Sequence, residues 1–269
     1  MLLIIEALLL ISAALGQDHR AAEGQIFPLD MAPDSVDDYY YGCRVKMAKE
    51  VKTNYLKKEL DNSEFGKAWQ ESEKKASKKS LKRHNSVAIY MYTNTDFKIY
   101  DKFNNDGRNG KKSYAARTYK WYSLQFLLTE AIETLRKKQT GCFKTFRGTN
   151  VQFNGRVSTY IRFGSFTSSS LNQYIAQRFG KKSCFEIYTC LGADVSEYSR
   201  LPYEKEVLIP PYEMFNITAV RTKQNETDLW CETVFTLSHH GTRSELNCAL
   251  FKKPTKTIGM YNAEKSVLK

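Results

Sequence analysis

The feature that most constrains the fold of this 269-residue chain is a change in the period of its apolar residues near position 142. Before that point they recur at helical spacing: Val45, Ala48, Val51 and Tyr55, then Phe65, Ala68, Trp69, Ser72 and Ala76, then Trp121, Leu124, Leu128, Ala131, Ile132 and Leu135. The last stripe predicts a helix with Arg136, Lys137 and Lys138 at the negative end of its dipole and Gly141 as its stop. Residues 104–110 (NNDGRNG) read as a turn between helices. Beyond residue 142, runs of β-forming residues predict strands over 142–147, 159–163, 184–190, 206–209, 214–220, 230–237 and 246–251, with one short helix at 171–179. Helices first and strands afterwards indicate an α+β fold rather than alternating βα units. No Gly-x-Gly-x-x-Gly follows a predicted strand and no Walker loop is present, which removes a Rossmann dinucleotide site and a P-loop. There is no internal repeat or linker, so residues 17–269 read as a single domain.

Composition narrows the class of partner. Forty-one Lys and Arg against 29 Asp and Glu give a net charge of +12, which favours anionic partners. Residues 74–83 hold six basic side chains and no acid; they read as a solvated face, with a docking patch for an acidic partner as the other reading. Aromatics are not interleaved with this run, so nucleic acid is not expected as a partner. Residues 1–16 (MLLIIEALLLISAALG) read as a secretory signal peptide, too short to span a bilayer. Six cysteines behind such a leader, none in a CxxC pair, read as disulfides whose pairing the sequence leaves open. Sequons at Asn216 and Asn225 fit the same compartment. The tail, 252–269, is polar and basic and lacks the hydrophobic stretch of a lipid-anchor signal, so the expectation is a protein released from the cell or held in secretory granules, without a membrane anchor.

Three short elements in the second half carry candidate chemistry. Phe146-Arg147-Gly148-Thr149 closes a strand, residues 163–170 (FGSFTSSS) form a serine-rich run, and Tyr203-Glu204-Lys205-Glu206 opens another strand. Each alone has a bland reading, as a strand end, a loop and a charged edge. In this order they resemble the Arg–Ser–Glu-x-Glu triad of the arginine-specific mono-ADP-ribosyltransferases, in particular their vertebrate secreted and cell-surface branch. The segments "MAPDSVDDYYYGC" (31–43), "GCFKTFRGTN" (141–150), "RFGSFTSSSL" (162–171) and "EKEVLIPPYE" (204–213) are similar to family segments in family order, so the resemblance spans about 30–250.

That resemblance implies a helical N-terminal part packed on a split β-sandwich, with an NAD cleft between. It implies transfer of ADP-ribose from NAD to arginine side chains of target proteins, with NADP left open as a second substrate and no permanently bound cofactor. Arg147 can fork its donors onto a phosphate or ribose oxygen, and Gly148 offers bare backbone to the nicotinamide amide. Ser168 would sit beside the nicotinamide ribose, and Phe179 would stack on the nicotinamide ring. Glu206 would stabilise an oxocarbenium-like transition state and bond the ribose 2′-OH. Glu204, two residues earlier, would share its face in extended chain at a separation of about 6.6 Å and accept the proton of the incoming guanidinium. Tyr203 would pack on that guanidinium.

The family likeness also implies Cys142 with Cys190 and Cys43 with Cys248, which leaves Cys184 with Cys231. His239 and His240 are adjacent and lack further ligand spacing, so no metal is expected. A monomer is expected. Two other readings stand beside transfer to arginine: an NAD glycohydrolase with water as main acceptor, and a catalytically silent basic binding protein working through residues 74–83.

Overall fold

The computed structural model describes residues 25–251; the leader at 1–16 and the tail at 252–269 fall outside the described residues. The first half is helical. Helix α1 (Arg44–Glu50) runs through a π-helical turn, Val51–Tyr55, into α2 (Leu56–Leu60). Met47 and Val51 are buried, and the next buried apolar residue is Leu56, five positions on, which is the spacing a π-turn imposes. Val45, expected on the core face, is 85% exposed, because Met47 rather than Val45 sets that face. Helix α3 (Ser63–Lys75) starts at Asn62, whose side chain accepts from the N–H of Glu64 and Phe65, and buries Phe65, Ala68, Trp69 and Ser72 as the periodicity predicts. Helices α4 (Arg83–Tyr92), α5 (Ile99–Arg108), α6 (Lys111–Ala115) and α7 (Tyr122–Arg136) follow. The start of α7 is capped from a distance: the buried Glu59 carboxylate accepts the N–H of Ser123 at 3.0 Å.

Helix α5 corrects the turn expected at 104–110. Phe103, Asn104 and Gly107 are buried along it, and Asn104 Nδ2 donates to the Tyr92 hydroxyl at 3.0 Å. Tertiary burial of one face overrides the weak helix propensity of Asn, Asp and Gly.

The second half supplies the strands: β1 (Ile26–Pro28), β2 (Phe143–Thr149), β3 (Gln152–Asn154), β4 (Tyr160–Ile161), β5 (Thr167–Ser170), β6 (Ser183–Thr189), β7 (Ala193–Asp194), β8 (Glu206–Ile209), β9 (Glu213–Thr222) and β10 (Thr233–Thr242). Helix α8 (Gln173–Ala176) and a 3-10 turn, Gln177–Phe179, lie between β5 and β6. Strand β1 pairs with β3, and the other eight follow the order β4-β9-β10-β6-β2-β5-β8-β7. Strands β6 and β2 share seven register pairs, whereas β2 and β5 share one, Phe146 opposite Ser170. The sheet is therefore split at that joint. On one side, Ala193 and Leu208 pack with the helices. On the other, Phe185, Ile187, Phe215, Ile217, Phe235 and Leu237 form a separate core.

The serine run corrects a second expectation. Residues Thr167–Ser170 form a wholly buried strand against β8, with Ser169 Oγ donating to Val207 O and Ser170 Oγ to Glu204 O. The hydroxyls of Thr167, Ser169 and Ser170 are satisfied by backbone carbonyls, so small polar side chains can be buried there. The strand expected at 246–251 is instead a loop ending in a 3-10 turn, Ala249–Phe251. The N–H of Leu246 goes to the Asp37 carboxylate, as does that of Glu245 just before it, and the N–H of Cys248 goes to Asp38, while Ala249 and Phe251 close the turn onto Leu246 O and Cys248 O.

Asp37 is also ion-paired with Arg162, and both side chains are 1% exposed. Arg162 further donates to Met31 O and Arg243 O, each at 2.9 Å. This buried pair joins the 30–38 segment, the residue after β4 and the 243–246 loop. Asp38 beside it accepts from Tyr40 N–H, Cys248 N–H and the Tyr114 hydroxyl; burial nevertheless pushes its pKa up to about 6. Three disulfides, Cys43–Cys248, Cys142–Cys190 and Cys184–Cys231, tie the ends of the described chain and the flanks of β6. Arg162→Met should cost about 3–5 kcal/mol, because it strands a buried carboxylate. Guanidinium denaturation with the disulfides intact measures this, and a loss below about 1 kcal/mol would refute a supporting role for the pair.

Candidate active site

Where β5 parts from β2, the chain forms a cavity of about 520 Å³. Arg147 and Ser168 line it, with Tyr92 from α4, Asn104 and Arg108 from α5, and the 27–34 segment. Arg147 is held across the split by a hydrogen bond from Nη1 to Ser168 O at 2.8 Å. Tyr92 donates to Phe166 O at 3.1 Å and accepts from Asn104, so α4, α5 and the approach to β5 are locked together behind the cavity. Arg108 Nη1 lies 3.4 Å from Ser165 Oγ. Sequence reasoning placed Asn104 and Arg108 in a turn and missed Tyr92. A helical reading carried across 99–108 would have found the first two.

Glu204 and Glu206 do not line this cavity; both are wholly buried next to it. Glu206 opens β8 opposite Ser170, and Glu204 ends a 3-10 turn, Pro202–Glu204. The extended i, i+2 geometry expected for the pair is not what forms. Lys205 between them adopts left-handed backbone, φ 48°, because it caps the 3-10 turn before the strand begins. None of the four carboxylate oxygens, nor Ser168 Oγ, has a hydrogen-bond partner within the described chain. Burial raises the pKa of Glu204 to about 8, and repulsion from Glu206 adds to it. Burial likewise raises Glu206 to about 7, opposed by the Ser168 hydroxyl, which acts on it without closing a hydrogen bond, reinforced by Asp194 and again opposed by Arg147. A buried carboxylate pair with perturbed protonation and no internal partner is the signature of a site built for a ligand.

Gly148 and Phe179 fall next to this arrangement but not on the cavity wall. A Cβ at Gly148 would overlap Ala176 O and Gly180 O, so β2 and the end of α8 approach too closely for any side chain there. Phe179, on the 3-10 turn, is wholly buried. Tyr203 is 52% exposed at the mouth beside Glu204.

Other residues singled out by sequence lie elsewhere. His239 Nδ1 meets Glu213 at 2.7 Å, while the His240 ring packs at a tilt against Tyr160. Among the described residues no cluster of three or more His, Cys, Asp or Glu is placed to hold a metal ion. Within 74–83, Lys74, Lys79 and Lys82 pair with Glu71, Glu197 and Glu130, so much of that charge is already matched. Asn216 lies within β9 with its Oδ1 buried, whereas Asn225 is exposed in the turn after it.

The two glutamates carry a stability signature. Their carboxyls hold protons more tightly in the folded chain than at the ordinary value of 4.5, so this contribution is complete below about pH 4.5 and is lost as pH rises through about 7 to 8. The double variant Glu204→Gln/Glu206→Gln should melt close to the parent near about pH 5 and well above it near about pH 8. Parallel melting curves across that window would contradict the burial argument.

Comparison with known proteins agrees with this geometry. The profile of the family described as NAD:arginine ADP-ribosyltransferase matches residues 29–233. The erythroblast NAD(P)(+)--arginine ADP-ribosyltransferase of Gallus gallus is 33% identical over 237 residues, 84% of this chain and 76% of the relative. Ecto-ADP-ribosyltransferase 5 of Homo sapiens is 32% identical over 266 residues, 91% and 88% of the two chains. A mutant of the eukaryotic mono-ADP-ribosyltransferase ART2.2, solved in complex with NAD, superposes with a TM-score of 0.68 at 29% identity, over 84% of this chain and 100% of that one. The chain thus belongs to the NAD:arginine ADP-ribosyltransferase family, and its reaction is the transfer of ADP-ribose from NAD to arginine.

Proposed function

We propose that Glu206 and Glu204 divide that reaction between donor and acceptor. The observation that carries this reading is the pair of wholly buried carboxylates without internal partners, next to Ser168 and Arg147. Arg147 and Arg108 on the cavity wall supply guanidinium donors for the diphosphate and ribose of NAD. Gly148 offers backbone to the nicotinamide amide, and Phe179 backs the ring. Ser168 orients the ribose beside Glu206.

As the nicotinamide–ribose bond breaks, its electron pair leaves with the pyridine nitrogen and positive charge develops on the anomeric carbon. Glu206, ionised, faces that charge and accepts from the 2′-OH. The pyridinium of NAD is itself a cation, so its arrival favours the ionised form of a group poised near neutrality. Glu204 orients the guanidinium of the target, accepts its proton and leaves a neutral nitrogen to bond the anomeric carbon. The products are ADP-ribosyl-arginine, nicotinamide and one proton. Tyr203 packs on the incoming side chain at the mouth. Chemistry of this kind uses no metal.

The same reading makes residues 17–269 one catalytic unit that acts as a monomer, released after removal of residues 1–16. The three disulfides and the ecto-enzyme relative support an extracellular setting. The matched charges of residues 74–83 weigh against the silent binding protein, and the burial of Glu204 beside Glu206 weighs against water as main acceptor.

Glu206→Gln should lower both nicotinamide release and ADP-ribosyl-agmatine formation by at least about a hundredfold, with folding intact. Glu204→Gln should lose the adduct by a similar factor and keep measurable nicotinamide release. Undiminished labelling of agmatine in either variant would sink the assigned role. Expressed in a glycosylating secretory host, the protein should enter the medium carrying a glycan that Asn225→Gln removes and Asn216→Gln does not, because Asn216 sits within a paired strand; mass spectrometry reads the difference.

A further inference from the structure

The mouth in front of Glu204 has a chemistry of its own. The turn that carries Glu204 is fastened to the start of α8: Ser170 Oγ donates to Glu204 O at 2.7 Å, and Leu171 N–H donates to Lys205 O at 3.0 Å. Two segments are thereby brought side by side at the surface. One, residues 198–205 (YSRLPYEK), presents Arg200, Tyr203 and Lys205, all exposed. The other, residues 171–182 (LNQYIAQRFGKK), contains no acidic residue and presents Tyr174, 78% exposed, and Arg178. Arg200 and Arg178, one on each of these segments, both act on the Tyr203 hydroxyl. Of the nearby acids, Glu197 pairs with Lys79 at 3.0 Å, while Asp96, exposed, acts with Arg200 on Tyr90 and offsets part of the charge on that side. Arg178, Arg200 and Lys205 do not line the cavity assigned to NAD and are exposed at the mouth.

An acceptor arginine is itself a cation, and here it must pass a rim of three cations to reach Glu204. Like charges repel at that range, so a lone or lysine-flanked arginine is disfavoured at the mouth. The geometry points to target segments in which the modified arginine is flanked by Asp or Glu, the flanking carboxylates pairing with Arg178, Arg200 and Lys205 while Tyr174 and Tyr203 cover the aliphatic part of the target. This inference rests on Glu204 being the group that receives the acceptor. Exposed ion pairs are individually weak, a factor of about two to five each, so the preference should be moderate, additive and sensitive to salt.

The test compares two peptides of equal length, each with one arginine, flanked either by glutamates or by lysines, with agmatine in parallel. At low ionic strength kcat/KM should favour the acidic peptide by about tenfold or more, and the ratio should fall towards one as salt screens the rim. The variant Arg178→Glu/Arg200→Glu should reverse the order; should it fail to fold, Arg178→Glu and Arg200→Glu singly should each lower the ratio. Equal use of both peptides, or a ratio that the substitutions leave untouched, overturns the inference while agmatine labelling leaves the transfer reading standing. A variant whose defect is a raised KM for NAD with an unchanged peptide ratio also overturns it, since the rim would then serve the donor. Nicotinamide release without any labelled agmatine overturns the assignment of Glu204 and the inference with it.

Discussion

The joint between β2 and β5 governs the rest of the molecule. These neighbours meet at one residue pair, Phe146 opposite Ser170, and then diverge. Divergence costs ladder hydrogen bonds, and backbone groups released in this way need other partners. The chain provides some of them: Arg147 spans the gap to Ser168 O, and the end of α8 closes against Gly148 where a side chain would not fit. What remains between the strands is a cavity walled by residues of both apolar cores, which strand β8 joins by sending Leu208 into one and Ile209 into the other. A continuous sheet would have had no room for a dinucleotide.

Keeping that gap open requires stiffness elsewhere, because the site contributes little. Two wholly buried carboxylates without partners oppose folding when ionised, and their protonation only partly offsets this near neutral pH. The compensating elements sit at the periphery. The Cys142–Cys190 disulfide joins the approach to β2 with the end of β6, and Cys43–Cys248 closes a loop of 205 residues. The Asp37–Arg162 pair gathers three distant segments around one buried charge couple, and both carboxylate oxygens of Asp37 are used. Cross-links and a buried ion pair restrain loops that helix and strand packing alone would leave free to slide.

How much of this was legible in the sequence differs by the range of the interaction. Helices α3 and α7 follow from apolar periodicity because their cores are made by residues three and four apart. The triad segment order pointed to Arg147, Ser168, Glu204 and Glu206 as functional, and the structure gathers them around the split. What escaped was decided by distant partners. Asn104 favours turns until Tyr92 takes its amide, and Ser169 and Ser170 of β5 favour loops until carbonyls of β8 and the adjoining turn take their hydroxyls. Residues 246–251 have strand composition, but the carboxylates of Asp37 and Asp38 claim the N–H of Leu246 and Cys248, and the 3-10 turn uses those of Ala249 and Phe251. The left-handed Lys205 is the hardest to foresee, since nothing in Glu-Lys-Glu separates a strand start from a 3-10 cap.

That single left-handed residue has a chemical consequence. In extended chain, Glu204 and Glu206 would belong to one strand and one environment. With Lys205 turned, Glu206 belongs to β8 and the ribose side, while Glu204 belongs to a turn whose other face is the protein surface. Under the roles proposed for them, the two carboxylates then respond to different visitors. NAD brings a pyridinium to Glu206 and favours its ionised form. Glu204, with a pKa near 8, keeps its proton until a guanidinium arrives and makes the carboxylate the more favourable form. A protonated Glu204 cannot accept a proton from water, so near neutral pH the base that would assist hydrolysis is reduced in population until the arginine that should react instead is in place. Separation of the pair by one backbone turn thereby couples acceptor binding to the readiness of the acceptor's own base.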